Sequence, residues 1–555
     1  MQAQAQLDAL VREMFEASTR RSPAWATDLG IHTWDQEVSD PSRARVKEDI
    51  GLHQGWLARA DALALHAQAL SPAQRVDAEA LRHSLRLWLH DELELRSWER
   101  NPDLAMEFLD HVFGLMVKEE LDLEERCAAI GARLDKAPAF LRAGRDRFGA
   151  CPVLWVDMAI ESAGAAPAML EAAEQLASQQ GVSSGTRERV RSAVKHAREA
   201  LKEHTDWLQE KKRDALRDGW AAGAPAFNKL VELRALGADA DAILARGEQL
   251  VAQLREDTRR AAEQVLRAAH QDASGDVVAR AQALIEAEHP RDWPAVLDLY
   301  RRCIEASRDF VAQQGIAELP PGERLEVIET PAYLRHIMPF AAYVSPGKFE
   351  RRQVGLYMVT PREPKNFPLA EVLNTTVHEG YPGHHLQLTG ANQNPSTARL
   401  FVHAVESIEG WAHYCEEMML ARGFAMPGAR PEQVKFIVLK DQLWRACRIV
   451  IDVKLHRGAM TFDEGVGLLR EVARMGEREA LAEVKRYTQS PAYQLSYLWG
   501  KLQIQKLRED LAAQGVGEQA FHDRYIRAGS LPLGLMRQEL GTEPGAGSRS
   551  SRGLL

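Results

Sequence analysis

His378-Glu379-Gly380-Tyr381-Pro382-Gly383-His384-His385 places three histidines and a glutamate within eight residues. A hydrolytic zinc site needs about three nitrogen or carboxylate ligands, an open position for water, and a carboxylate able to take the water's proton. All of these residue types are present. In the H-E-x-x-H arrangement the histidines stand one helical turn apart and face one metal. Here Pro382 occupies the position of the second histidine, and the next imidazoles come two or three residues late. On an unbroken helix His384 would point roughly 120° away from His378, and His385 would lie about 10 Å farther along the axis. Proline lacks the amide proton, clashes with the preceding turn and drives Tyr381 out of the α region, so a break or bulge is expected across 380–382. Such a break can return a late histidine to His378, and either His384 or His385 meets the need.

The third ligand is expected on a second, crossing helix. Glu409, in Glu406-Ser407-Ile408-Glu409-Gly410-Trp411-Ala412-His413-Tyr414, follows His384 by 25 residues and His385 by 24, enough for a loop and a return. Gly410 beside it permits close backbone approach. Glu406, His413 and Glu416 share roughly its helical face and are candidates to orient a ligand from behind. A solvated polar face is the competing reading for all three.

Outward from this centre the chain reads as mainly α. Leu, Ala, Arg and Glu recur at three- and four-residue spacing through 74–98, 103–146, 167–215 and 237–271, the pattern of long amphipathic helices. Helical patterning returns in 369–380, 397–422, 431–457, 462–475 and 491–514. Between 320 and 365 seven prolines punctuate two β-prone runs, 324–330 and 353–360, so a small antiparallel sheet is expected beside the motif helices. Val354, Leu356 and Met358 alternate with Gly355, Tyr357 and Val359, which fits either a structural hairpin or an edge strand open to a peptide backbone. The expected partition is a helical scaffold over 1–318, a metal-binding lobe over 319–540, interleaved with it, and a disordered tail over 541–555.

Three segments together carry a resemblance: HEGYPGHH, then EGWAHYCEE, then Arg448-x-x-x-Asp452-x-x-x-His456. They resemble a large bacterial family catalogued as a domain of unknown function and predicted to hold zinc peptidases. More distantly, the order H-E, late G-H and then Glu is similar to thimet oligopeptidase, angiotensin-converting enzyme and the Taq-type carboxypeptidase. That likeness implies a multi-helix, clamshell-like fold with a deep channel suited to short peptides. In those enzymes the second histidine follows a glycine, as His384 does, while the histidine-to-glutamate interval suits His385 equally.

Hydrolysis of a peptide bond generates an oxyanion, and a phenol aimed at it would add to the metal's stabilisation. The stretch Pro491-Ala492-Tyr493-Gln494-Leu495-Ser496-Tyr497 resembles the tyrosine-bearing helix of the same distant relatives, with Tyr497 the first choice and Tyr493 the second. Arg448, Asp452 and His456 repeat every four residues, as a ladder that positions a ligand or substrate carboxylate, or as a structural ion-pair ladder.

A net charge of −9 without a basic block leaves no electrostatic footprint for nucleic acid. The N-terminus lacks the continuous apolar core of a signal peptide, and no later run of about 18 apolar residues is expected to span a membrane, so a cytoplasmic, membrane-independent protein is expected. Five cysteines, odd in number and without a C-x-x-C pair, read as buried thiols. The pattern says nothing of oligomeric state.

The expected activity is hydrolysis of short peptides by one Zn²⁺ held by His378, Glu409 and one of His384 and His385, with Glu379 as general base. Two histidines and a carboxylate also describe non-haem iron oxygenases, but the Glu next to the first His and the helical texture argue against one. A helical binding protein with a structural metal, or none, is the remaining alternative.

Overall fold

A computed structural model describes residues 2–332, 335 and 341–541, so the expected tail lies outside the described residues apart from Gly541. The chain is mainly helical, as its periodicity implies. It forms two compact units, and it passes between them more than once. The first comprises residues 1–220, 330–339 and 346–353; the second comprises 221–329, 340–345 and 354–555.

The division falls at 220/221, not near 318. Helix Ala240–Ala268, grouped with the scaffold on texture alone, buries Ile243, Gly247, Leu250, Leu254, Ala261 and Val265. That stripe recurs at three and four residues and lies along the long helix Pro431–His456, so it belongs with the second unit.

In the first unit, helix Ser184–Arg213 packs against Val153–Ala177 and Leu123–Asp135. Val153–Ala177 is, by length and composition, apolar enough to cross a membrane, contrary to the reading that no such stretch exists. Alanine raises its mean hydropathy without long apolar side chains. Its Ala159, Ala163, Ala166 and Leu170 are buried, and Asp157 pairs with Lys212 at 2.5 Å. A core helix of a bundle meets the same measure.

His204, wholly buried in this unit and stacked on Trp207, has no hydrogen-bond partner for either ring nitrogen among the described residues. Burial, reinforced by Arg145, lowers its pKa to about 3. The folded imidazole therefore stays neutral while the unfolded one protonates below its usual value near 6.5, so stability falls as pH drops from 6.5 towards 3. The loss at pH 5 is about 2 kcal/mol. We expect His204→Leu to lose less of its melting temperature between pH 7 and pH 5 than wild type; equal losses would refute the assignment.

The sheet of the second unit has three strands, β1 (Arg324–Glu329), β2 (Ala341–Val344) and β3 (Val354–Val359), in the order β1-β3-β2. It is mixed, not purely antiparallel: β1 runs parallel to β3 and β2 antiparallel to it. The unforeseen β2 takes the antiparallel place beside β3, which leaves β1 the opposite edge. β3 is thus central, and the edge-strand reading of 353–360 fails because both its sides are paired. All five cysteines are free and buried.

Candidate metal centre

Helix Leu369–Glu379 buries Ala370, Val372, Leu373 and Val377 and delivers His378 and Glu379 in its last turn. The helix then stops. Gly380 takes a non-helical conformation, the Tyr381–Pro382 bond is cis, and a new helix, His384–Ala391, starts directly after Gly383. The break is held by Gly383 N–H donating to the Val377 carbonyl (3.1 Å) and Trp411 Nε1 donating to the Pro382 carbonyl (2.8 Å). A Cβ at Gly383 would collide with the carbonyl oxygens of Val377 and His378, so only glycine allows the chain to fold back so closely.

The fold-back places His384 beside His378, with ring centroids 4.8 Å apart and nearly perpendicular. Glu409, on helix Val405–Ala421, points Oε2 at both: 3.8 Å from His378 Nε2 and 3.5 Å from His384 Nε2. These three ligand atoms lie within 4.8 Å of one another. Donors about 2.0–2.2 Å from a tetrahedral ion stand roughly 3.3–3.5 Å apart, so the spacing fits zinc after small adjustment.

Charge fits as well as spacing. Glu379, Glu409 and Glu416 gather around two imidazoles, a surplus of negative charge that a divalent cation offsets. Burial opposes ionisation of His378, but Glu409 and Glu416 outweigh it and raise its pKa to about 10. Glu409 is held well below the carboxylate range, since His378 and His384 overcome its burial. Burial instead raises Glu379, which lies in the fields of both histidines and of the other two carboxylates.

Glu416 Oε1 lies 2.7 Å from His378 Nδ1, which fixes the tautomer and leaves Nε2 facing Glu409. Asn374, one turn before His378, donates to Glu416 (3.3 Å) and Asp441 (3.1 Å). Of the other expected orienting residues, His413 lies with Nδ1 3.2 Å from Glu416 Oε2, and burial lowers its pKa to about 4. Glu406 pairs with Arg234 at 2.6 Å. Replacing Glu416 by Gln should weaken zinc binding by about 10–100-fold, measured by chelator competition. Unchanged affinity would sink the orienting role.

His385 is not part of the cluster, which corrects its candidacy as a ligand. As the next residue on the new helix it points elsewhere, wholly buried, with Nε2 2.7 Å from Glu323 Oε2 and Nδ1 3.0 Å from the Tyr343 hydroxyl. Tyr381 also donates to Glu323.

The two tyrosines do not lie on one continuous helix. Tyr493 opens a short 3-10 turn, and Tyr497 precedes helix Leu498–Ala512. Tyr493 donates to Glu409 Oε1 (2.9 Å), so it steadies a candidate ligand; Tyr497 is its neighbour, with ring centroids 6.0 Å apart. Gly410 and Gly500 bring the Glu409 helix and the Leu498–Ala512 helix into backbone contact, since a Cβ on Gly410 would fall 2.6 Å from the Gly500 carbonyl carbon.

The ladder builds the turn beneath Tyr493 and contributes no ligand. Asp452 accepts from the amides of Ala492 (3.1 Å) and Gln494 (3.0 Å), while burial raises its pKa to about 7. His456 Nε2 lies 2.9 Å from the Tyr487 carbonyl, and Arg448 donates to the Tyr487 hydroxyl and Glu483. Ala492 is thereby held at φ 62°, unusual for alanine.

Three neighbours of the centre carried no motif. Asn374 had a signal in its four-residue spacing from His378. His403, in the fields of Glu409, Glu406 and His384, and Arg445, near Tyr497, had none.

Among known proteins, the family described as "Bacterial protein of unknown function (DUF885)" matches residues 23–540. No curated protein matches the chain. A candidate lipoprotein of unknown function from Shewanella oneidensis is similar in structure, with a TM-score of 0.76 at 21% identity, over 96% of this chain and 99% of that one. A candidate lipoprotein from Colwellia psychrerythraea is similar too, with a TM-score of 0.81 at 18% identity, over 97% and 98% of the two chains. At such identities the likeness establishes the fold alone.

Proposed function

The chain belongs to the DUF885 family of bacterial proteins, and from that footing we propose that it is a metallopeptidase that cleaves short peptides with one zinc ion. One observation carries the reading: the Nε2 atoms of His378 and His384 converge on Glu409 Oε2 directly beside Glu379. Zinc bound by His378, His384 and Glu409 would supply Lewis acidity to the scissile carbonyl and to water.

The remaining work falls to side chains. Glu379 accepts the proton of the attacking water and returns it to the leaving amine. Glu416 keeps His378 in the tautomer whose lone pair faces Glu409, and Tyr493 holds the far oxygen of Glu409. Tyr497, beside Tyr493, is the phenol assigned to the oxyanion of the tetrahedral adduct.

The test is metal analysis of purified wild type and Glu379→Gln, both assayed on a mixed peptide library. Stoichiometric zinc in both proteins with cleavage by wild type alone supports the reading. Iron in place of zinc points to an oxygenase, and undiminished cleavage by the variant removes the general base.

A further inference from the structure

Helix Pro431–His456 carries two arginines, Arg445 and Arg448, whose guanidinium carbons lie 4.2 and 4.0 Å from the ring centroid of Trp444. Their outer edges differ. In Arg448 the Nε and Nη2 donors are filled by the Tyr487 hydroxyl (2.8 Å) and by Glu483 (2.9 Å). Among the described residues, Arg445 is engaged through Nη1, with Asp441 Oδ1 at 3.3 Å and the Asp441 carbonyl at 3.5 Å. Its Nε is buried and has no hydrogen-bond partner among the described residues. Nε and Nη2 form the fork that grips a carboxylate through two parallel bonds, and a buried charged donor left unpaired is costly.

Two chains of contacts link Arg445 to the candidate metal centre. Arg445 lies 5.9 Å from the Tyr497 ring, whose neighbour Tyr493 holds Glu409. Asp441, its ion-pair partner, accepts from Asn374, which also binds the Glu416 that fixes His378. The Arg445 side chain keeps 11% of its surface exposed.

We propose that Arg445 receives a carboxylate of the peptide substrate, and that this is the C-terminal carboxylate, which makes the protein a peptidase directed to free carboxyl termini. This inference rests on the peptidase reading. A C-terminal carboxylate and an acidic side chain offer the same chemistry, so the test must separate them.

The zinc-loaded protein is assayed on one peptide as its C-terminal acid and as its amide, and on amidated versions bearing Glu or Gln. Wild type should prefer the acid by about 100-fold or more in kcat/KM, mainly through KM. Arg445→Met should bring that ratio towards one, and Arg445→Lys should restore part of it. Melting curves verify that the variants fold. Equal cleavage of acid and amide by wild type, a ratio that survives Arg445→Met, or a preference for Glu over Gln without one for the terminal acid overturns the proposal. Should wild type cleave none of them, calorimetric binding of the acid and amide decides: acid-selective binding lost in Arg445→Met upholds the carboxylate site while the peptidase reading fails, and unselective binding ends both.

Discussion

His384→Ala is expected to release the zinc and to lower kcat/KM by more than the roughly 10–100-fold that loss of an outer partner costs. Of the three ligand atoms that converge, His384 Nε2 is the one nearer to Glu409, at 3.5 Å. Without it one imidazole and one carboxylate remain, fewer than the three protein ligands of a catalytic zinc site. The paired variant is His385→Gln, which retains a polar group facing Glu323. It should keep one zinc per chain and most of the activity while melting at a lower temperature, because His385 is half of a buried pair with Glu323 at 2.7 Å. Metal analysis and melting curves on the two variants settle the matter. Zinc lost from His385→Gln and retained in His384→Ala would reverse the assignment of adjacent histidines.

That pair marks the limit of what spacing alone can decide. Pro382 announces a broken helix, but the direction of the chain after the break depends on the torsions of Gly380 and Gly383, which residue types do not encode. Long amphipathic stretches are readable because their apolar stripes repeat over many turns, as in Ala240–Ala268. β1 and β3 are readable because prolines bracket β-prone residues. β2 is not: Ala341–Val344 is four residues with no alternation, and pairing with β3 alone makes it a strand. The same holds for Tyr493 and Tyr497. Their roles part because Asp452 and Arg234 tie down Ala492, contacts across 40 and 258 residues that no local pattern reveals. The sequence spacing of Arg445 and Arg448 is visible, but which of them keeps an open fork depends on Tyr487 and Glu483 from another helix.

Glu379→Gln is expected to leave zinc at one ion per chain and to lower kcat by about 10²–10⁴-fold with KM little changed. The amide preserves shape and can still hydrogen-bond a water, but it cannot accept that water's proton. None of the ligand atoms belongs to Glu379, so the metal should remain. Location argues for the role as well. Glu379 directly follows a ligand, and the fields of His378 and His384 favour its ionised form against burial and the nearby Glu409 and Glu416. Glu416→Gln provides the contrast, because it should weaken zinc binding while leaving turnover at saturating zinc much closer to wild type. If Glu379→Gln instead loses its zinc, the residue is acting on the metal, and the general base must be sought elsewhere, with His403, in the fields of Glu409 and His384, an unassigned candidate.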